Sequence, residues 1–155
     1  MGANFTLGEN EVTIKPHNGL HAVEKLQTAV YPGFPTDLQA PFAVLLTQCE
    51  GESRIFETLF EGRLNYLAEL QRMGAHTEIQ NEHEALVRGP TPLKAVPIVS
   101  CDIRAGAAMV IAALIAHSPQ ASAQKTEISE INYIDRGYEG LDEKLRSLGA
   151  NIQRA

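Results

Sequence analysis

The pattern of hydrophobic and polar positions follows two periods, which together predict a mixed α/β fold. Short β-branched or alternating runs flank turn residues in 5–14 and 77–87, as is typical of hairpins. Stretches 64–73 and 141–148 repeat apolar residues at helical spacing, and each ends at a glycine that suits the left-handed position after a helix. The stretch 104–116 is apolar nearly all round, so we expect a helix buried between layers.

The first of the longer helices is predicted to begin at Thr36, whose hydroxyl can cap a helix N-terminus. Apolar residues at positions 42, 45, 46 and 49 follow at helical spacing, and Gly51 lies just past the predicted end. Two further helical patterns begin at Arg63 and Arg136. We therefore expect both arginines at the start of a helix.

A short glycine motif occurs three times and divides the chain into repeats. It is Met-Gly-Ala-Asn from residue 1, Met-Gly-Ala-His from residue 73 and Leu-Gly-Ala-Asn from residue 148. Between its copies the order of predicted elements is the same: a hairpin, a strand, a helix, a strand and a helix. Cut at another point, this order is a βαβαββ unit.

The repeats predict the domain organisation. One unit spans about 2–73, a second spans about 74–148, and 149–155 would start a closing strand. Units with one-sided helices bury their apolar faces only when they pack together. Because the chain starts inside the motif and stops shortly after the motif recurs, we expect two units of one domain, cut from a longer polypeptide with a third unit upstream.

Composition and charge exclude several classes of protein. The 155 residues are 44% hydrophobic and 21% charged, with a net charge of −6, which is ordinary for a globular protein. Without a basic stripe, a nucleic-acid partner is not expected. The longest apolar stretch, 107–116, is about half the length that spans a bilayer, and the N-terminus lacks the pattern of a signal peptide. We therefore expect a cytoplasmic protein that does not bind a membrane.

The cysteines and histidines predict neither a metal site nor a cofactor. Cys49 and Cys101 form no C-x-x-C pair and are expected to be reduced, buried thiols. Cys49 is expected in the core, and Cys101 has no evident histidine partner that would make it a nucleophile. The five histidines lack metal-ligand spacing and are expected on the surface or in loops.

Two charged residues at predicted helix starts are candidates for chemistry. Asp37 can simply favour the helix dipole, or it can act on a substrate. Arg104 lies in the first turn of an apolar helix, where a cation opposes the dipole. We therefore expect Arg104 to face an anion or a carboxylate.

Arg63 and Arg136 hold equivalent positions in the two repeats. A structural explanation is pairing with nearby acids, such as Glu61, Asp135 or Glu139. The functional alternative is that they converge with the third arginine on a bound anion, because helix N-termini and arginine forks favour phosphate and carboxylate groups.

Several segments carry a resemblance to a known family. They are FPTDLQA at 34–40, ETLFEGR at 57–63, DIRA at 102–105, YIDRGYE at 133–139 and LGANI at 148–152. In this order and near this spacing they resemble the UDP-N-acetylglucosamine 1-carboxyvinyltransferase family of enolpyruvyl transferases, over almost the whole chain.

The resemblance implies a fold and an activity. The family has an inverse α/β barrel type of fold, in which two similar domains each contain three βαβαββ units. This chain would supply the last two units of the domain that holds the C-terminus, and the other domain would be absent. The implied reaction transfers the enolpyruvyl group of phosphoenolpyruvate to the 3-hydroxyl of UDP-N-acetylglucosamine and releases phosphate, the first committed step of peptidoglycan synthesis. The partners would be these two substrates and the remainder of the enzyme.

The resemblance also implies site residues. Asp37 matches the family's proposed general base beside the sugar hydroxyl. The matches to substrate-binding residues are Thr36 and Leu59 beside the nucleotide sugar, Arg136 for phosphoenolpyruvate, and Arg63 and Arg104 in the same anionic cleft.

Among the departures of this sequence from the family, two change what is expected of the chain. The proposed acid of the family lies in the other domain, and neither Cys49 nor Cys101 replaces it, so the chain is expected to be inactive alone. Residues Ser118 to Lys125 are expected to form a short inserted, flexible surface loop. Two alternatives remain open: a non-catalytic binding or scaffold module of this fold, and enolpyruvyl transfer to shikimate 3-phosphate.

Overall fold

The computed structural model describes residues 1–117 and 125–155. The strands are β1 (Asn4–Leu7), β2 (Val12–Lys15), β3 (Lys25–Gln27), β4 (Gly51–Phe56), β5 (His76–Asn81), β6 (Glu84–Gly89), β7 (Ile98–Val99) and β8 (Ile128–Ser129). The helices are α1 (Gln39–Leu46), α2 (Tyr66–Arg72), α3 (Ile103–Ile115), α4 (Asn132–Gly137) and α5 (Leu141–Ser147), and a short 3₁₀ turn, Thr36–Leu38, precedes α1. Apart from Lys125, the predicted inserted loop at Ser118–Lys125 lies outside the described residues.

The element order repeats as predicted. The hairpin β1–β2 is followed by β3, α1, β4 and α2, and the hairpin β5–β6 is followed by β7, α3, β8 and the pair α4 and α5. In each repeat the two strands that flank the central helix are parallel, with Leu26 opposite Ile55 in one and Ile98 opposite Ile128 in the other. Parallel pairing requires such a crossover, because a tight turn can join only antiparallel strands.

The strands form three separate groups within the described residues, and none of them closes into a barrel. A four-stranded sheet has the order β3-β4-β6-β5, with β4–β6 and β5–β6 antiparallel. The hairpin β1–β2 and the pair β7–β8 stand apart from it. The 3₁₀ turn and the loop after β4 both lie where the parallel strands β3 and β4 end, so residues carried by these segments can meet.

The core lies between the four-stranded sheet and the helices. The apolar stripe predicted for 64–73 is confirmed, since Leu64, Leu67, Leu70 and Met73 are all buried on or beside α2. Helix α3 buries Ala105, Ala108, Met109 and Ala112, and it packs against α1, α2 and α4. Its other side leaves Ile111 and Leu114 partly exposed, so α3 is covered on one side rather than on both as predicted.

The C-terminal end is less well covered than its sequence pattern predicts. Helix α5 has no buried residue, and Leu148 at its end is 84% exposed. Residues 149–155 form no strand, because they pair with no other strand in the described chain. Within the described residues the apolar positions of this segment are therefore only partly covered: Leu141 and Leu145 are half-buried and Leu148 is exposed.

The observed helix boundaries correct several predictions. Thr36 does not cap a helix: it lies inside the 3₁₀ turn, and its hydroxyl bonds elsewhere. Helix α1 ends at Leu46, earlier than predicted, and Gly51 opens β4 instead of ending the helix. Arg63 lies three residues before α2, in a turn, so it does not start a helix.

Arg136 also departs from its predicted position. The helix expected from Arg136 to 148 is divided into α4 and α5, and Arg136 lies in the last turn of α4. The division falls at Gly140, whose φ of 57° is left-handed and incompatible with a continuous helix. The two arginines still lie on corresponding connections, each between the second strand of the parallel pair and the last helix of its repeat.

The two thiols differ from each other. Both are free, but Cys49 is buried whereas Cys101 is exposed, which corrects the prediction that both are buried. In the described part of the chain, no helix is long and apolar enough to cross a membrane.

Candidate functional site

Three segments that are distant in sequence meet at one small cleft. They are the 3₁₀ turn before α1, the loop before α2 and the start of α3. The cleft is lined by Thr36, Gln39, Ala40, Arg63, Tyr66, Asp102, Arg104 and Ala105. The pairing of β3 with β4 fixes the first two segments, and the packing of α3 on α1 adds the third.

Asp37 stands between two arginines. Its Oδ1 accepts a hydrogen bond from Nη1 of Arg63 at 3.1 Å and another from Nη1 of Arg104 at 3.1 Å. The side chain is 65% exposed, and no bond to Oδ2 is found among the described residues. One carboxylate oxygen is therefore held by two cations, while the other has no partner among the described residues.

Arg63 is the more firmly held of the two cations. Its side chain is only 16% exposed, and its guanidinium lies 4.0 Å from the centre of the Phe60 ring. Nη1 also donates to Oγ1 of Thr36 at 3.0 Å. Stacking on an aromatic face and a hydrogen bond to a fixed hydroxyl together restrict the guanidinium to one orientation.

Arg104 owes its place to the helix cap that precedes it. Oδ1 of Asp102 accepts from the backbone N–H groups of Arg104 and Ala105, both at 2.8 Å, and so caps α3. The expectation that Arg104 faces a carboxylate is confirmed by its bond to Asp37. Its Nε also lies 3.7 Å from Oδ1 of Asp102. Asp37 and Asp102 thus occupy corresponding positions ahead of α1 and α3.

Glu57 is a central residue that the sequence analysis did not single out. It follows β4, is fully buried, and accepts five hydrogen bonds. An acidic residue directly after the apolar pair Ile55–Phe56 that ends β4 was the available signal, because a carboxylate is rarely buried unless it is well partnered.

Tyr66 and Gln39 complete the buried side of the cleft. The Tyr66 hydroxyl donates to Oε1 of Gln39 at 3.2 Å, and Nε2 of Gln39 donates to Oε2 of Glu57 at 2.8 Å. Burial raises the pKa of Tyr66 well above its usual range, and the charges of Glu57 and Asp102 raise it further. Tyr66 is therefore a neutral hydrogen-bond donor here and does not act as a base.

Three predicted site residues are not among those that line the cleft: Asp37, which bonds to the lining residues Arg63 and Arg104, and Leu59 and Arg136. Leu59 is partly exposed on the loop after β4, and its backbone N–H donates to Oε1 of Glu57 at 2.9 Å. Arg136 is exposed on α4, whose Ile134 packs against α3 near Gly106. The structure thus brings Thr36, Asp37, Arg63 and Arg104 together and leaves Leu59 and Arg136 beside them.

Pairing with nearby acids was the structural explanation for Arg63 and Arg136, and the observed ion pairs test it. Arg63 pairs with Asp37 rather than with Glu61. Asp135 pairs with Arg154, and no ion pair of Arg136 is found within 1–117 and 125–155. Local pairing with the adjacent acids therefore accounts for neither arginine.

The cysteines do not supply a nucleophile, and the described residues hold no metal cluster. Burial raises the pKa of the Cys101 thiol, and the nearby charges of Glu69 and Asp102 raise it further. Burial also raises the pKa of Cys49. Both thiols are thus disfavoured as thiolates. In the ranges that the structure describes, no group of three or more histidine, cysteine and acidic side chains could hold a metal ion.

The matching family model and the relatives below are all named as 1-carboxyvinyltransferases. Residues 1–145 match the model of a family described as EPSP synthase (3-phosphoshikimate 1-carboxyvinyltransferase). The chain is 46% identical over 154 residues to the UDP-N-acetylglucosamine 1-carboxyvinyltransferase of Wolinella succinogenes, covering 99% of this chain and 35% of that protein. It is 41% identical over 153 residues to the enzyme of the same name from Methylacidiphilum infernorum, covering 99% of this chain and 34% of that protein. The chain therefore spans about a third of the length of these curated relatives.

Solved structures show the same fold. The enolpyruvyl transferase NikO from Streptomyces tendae aligns with a TM-score of 0.83 at 29% identity, covering all of this chain and 34% of that chain. EPSP synthase from Acinetobacter baumannii aligns with a TM-score of 0.52 at 15% identity over 77% of this chain and 30% of that chain, which supports the fold alone. The predicted fold class, repeated α/β units of the enolpyruvyl transferase type, is confirmed. By the extent of the family match, its relatives and its fold, the chain belongs to the EPSP synthase family of enolpyruvyl transferases.

Proposed function

We propose that this chain is part of an enzyme that transfers the enolpyruvyl group of phosphoenolpyruvate to the 3-hydroxyl of UDP-N-acetylglucosamine and releases phosphate. The observation that carries the proposal is Asp37, an exposed carboxylate held at one oxygen by Arg63 and Arg104. The names of the relatives at 41% and 46% identity support the choice of sugar nucleotide. The reaction would be the first committed step of peptidoglycan synthesis and would take place in the cytoplasm.

Asp37 would act as the general base. The sugar hydroxyl loses its proton as its oxygen attacks C2 of phosphoenolpyruvate, and Oδ2 of Asp37 would receive that proton. C3 would take a proton from an acid on another part of the polypeptide, which gives a tetrahedral intermediate. Phosphate then leaves with its bonding electron pair, and C3 loses a proton to restore the double bond.

The arginines would bind and stabilise the anionic groups. Phosphoenolpyruvate carries a carboxylate and a phosphate, and guanidinium groups suit both because their planar donors bond two oxygens at once. Arg63 and Arg104 are already oriented toward the cleft by Phe60, Thr36 and Asp102. A fixed donor of this kind is worth about 3 kcal/mol to a charged transition state.

The remaining site residues belong to the same proposal. Arg136, on the helix beside the start of α3, would contribute a third cation toward phosphoenolpyruvate. Thr36 and Leu59, at the edge of the cleft, would contact the nucleotide sugar. Because Leu59 and Arg136 do not line the cleft in this chain, their contacts would form with the substrates and the remainder of the enzyme in place.

The test is a comparison of acceptor substrates. The natural polypeptide that carries these residues would be incubated with phosphoenolpyruvate and either UDP-N-acetylglucosamine or shikimate 3-phosphate. We expect phosphate release and an enolpyruvyl product, identified by mass spectrometry, with the sugar nucleotide only. Phosphate release with shikimate 3-phosphate only would show that this compound, and not the sugar nucleotide, is the acceptor. Binding of the sugar nucleotide without any phosphate release would instead favour a non-catalytic module.

A further inference from the structure

Glu57 is a buried acid that the proposed chemistry does not use, yet it touches both segments that carry the site. We propose that Glu57 is a positioning residue, which orients the Arg63 guanidinium through the hydroxyl of Thr36. This inference rests on the proposed function, in which Arg63 binds an anionic group of the substrate. It assigns Glu57 no contact with substrate.

Each carboxylate oxygen of Glu57 has several donors. Oε1 accepts from Thr28 Oγ1 at 2.9 Å, from the Leu59 N–H at 2.9 Å and from the Phe60 N–H at 3.3 Å. Oε2 accepts from Thr36 Oγ1 at 2.6 Å and from Gln39 Nε2 at 2.8 Å. No arginine or lysine pairs with Glu57 in the described residues. Five donors around a buried, unpaired carboxylate indicate that these hydrogen bonds are what retains it in the interior.

The direction of each hydrogen bond follows from the chemistry of the groups. Arg63 can only donate, so Thr36 Oγ1 accepts its N–H at 3.0 Å. The single hydroxyl hydrogen of Thr36 must then point to Glu57, which as a carboxylate only accepts. Glu57 therefore fixes the rotor of Thr36 with its lone pair toward Arg63, whose Nη1 also reaches Asp37 at 3.1 Å.

Glu57 also holds the two segments at a fixed separation. On one side it binds Thr36 and Gln39, which flank Asp37 in the 3₁₀ turn and at the start of α1. On the other side it binds the backbone of Phe60, whose ring lies 4.0 Å from the Arg63 guanidinium. One carboxylate thus positions both Asp37, the proposed base, and the Arg63 guanidinium beside it.

Glu57→Gln tests this arrangement with little change in shape. The amide has one oxygen that accepts and one NH₂ that only donates, so it cannot satisfy donors on both sides. If the NH₂ faces Thr36, it donates to Oγ1, and the hydroxyl hydrogen turns toward Arg63. We expect the KM for phosphoenolpyruvate to rise and kcat/KM to fall roughly ten- to a hundredfold in the natural polypeptide, as for a small misplacement of a binding group.

Thr28→Val is the matched control, because Thr28 is also buried and donates to the same carboxylate but does not touch Arg63. We expect it to lower the melting temperature and to leave the KM unchanged. In an Arg63→Ala background, Glu57→Gln should cause no further rise in KM, since the residue through which it acts is gone. An equal rise in that background, or an unchanged KM in the Arg63 parent, would overturn the inference.

Arginine side-chain NMR provides a readout that does not depend on turnover. Rotation about the Cζ–Nε bond of Arg63 should be slow in the parent and several-fold faster in Glu57→Gln. Arg88, held on the surface by Glu52 and Glu78, should be the same in both. If the parent releases no phosphate, the proposed function fails, whereas unchanged Arg63 rotation overturns this inference alone. If Glu57→Gln does not fold, Glu57→Asp, which keeps the charge but is one methylene shorter, takes its place with the same expected directions.

Discussion

Arg104 donates from Nη1 to Oδ1 of Asp37 at 3.1 Å, although the two residues lie 67 positions apart and in different repeats. Arg63, from the same repeat as Asp37, donates to the same oxygen. Exposed ion pairs of this kind contribute at most about 1 kcal/mol to stability. Stability is therefore a weak explanation for two cations on one exposed carboxylate, and an anionic substrate is a better one.

We expect Asp37→Asn to abolish most of the turnover of the natural polypeptide. The asparagine keeps the shape and can still accept a bond from an arginine, but it cannot take a proton from the sugar hydroxyl. Loss of a general base typically lowers the rate roughly a hundred- to ten-thousandfold. Steady-state kinetics would measure the loss, and calorimetry should show that UDP-N-acetylglucosamine still binds. Turnover similar to that of the parent would mean that Asp37 serves only the helix start.

Arg136→Ala should have a different kinetic signature. A cation that meets phosphoenolpyruvate in the ground state and in the transition state affects both KM and kcat. We expect the KM for phosphoenolpyruvate to rise and kcat to fall, with binding of the sugar nucleotide retained. Arg88→Ala, which removes a surface arginine engaged with Glu52 and Glu78, is the control and should change neither. Parent-like kinetics for Arg136→Ala would remove this residue from the site.

The 155-residue chain by itself should show no enolpyruvyl transfer. It carries the proposed base and the arginines, but Cys49 is buried in the core and Cys101 bonds to the Val99 carbonyl, so neither thiol is placed to supply the acid that protonates C3. Phosphate release with both substrates present would be compared with a blank without the acceptor. Release above the blank that disappears in Asp37→Asn would contradict the prediction.

Tyr66 should make stability fall at high pH. In the unfolded chain a tyrosine ionises near pH 10, whereas burial raises the pKa of Tyr66 in the folded chain. The folded state then binds more protons above pH 10, so the stabilising contribution is complete below that pH and is lost as the pH rises. This one group would lower the free energy of unfolding by up to about 1.4 kcal/mol per pH unit.

Tyr66→Phe isolates that contribution. It removes the titrating hydroxyl, so we expect its melting temperature to fall less than that of the parent between pH 9 and 11. At neutral pH the variant is less stable than the parent by about 1 kcal/mol, because it loses the hydrogen bond to Gln39. Tyr31→Phe is the control, because Tyr31 is exposed and should follow the parent. Identical curves for Tyr66→Phe and the parent would contradict the prediction.

Local pattern was sufficient where the physical cause is local. The hairpins, the order of elements and the buried stripe of α2 followed from periodicity and turn residues, because backbone geometry sets those periods. The helix boundaries around Thr36 and Arg136 were wrong. There the outcome depended on a hydroxyl that bonds to a distant carboxylate and on a left-handed glycine within an otherwise helical pattern.

The sequence by itself determined the repeat, the family resemblance and the residues Thr36, Asp37, Arg63 and Arg104 as candidates. Only the tertiary structure decided that Thr36, Arg63 and Arg104 line one cleft with Asp37 bonded to both arginines, that Leu59 and Arg136 lie beside it, and that Glu57 connects the two segments. A hydrogen bond depends on distances of about 3 Å between groups. Such distances between residues far apart in the chain are set by the pairing of β3 with β4 and the packing of α3 on α1, which no pattern along the chain specifies.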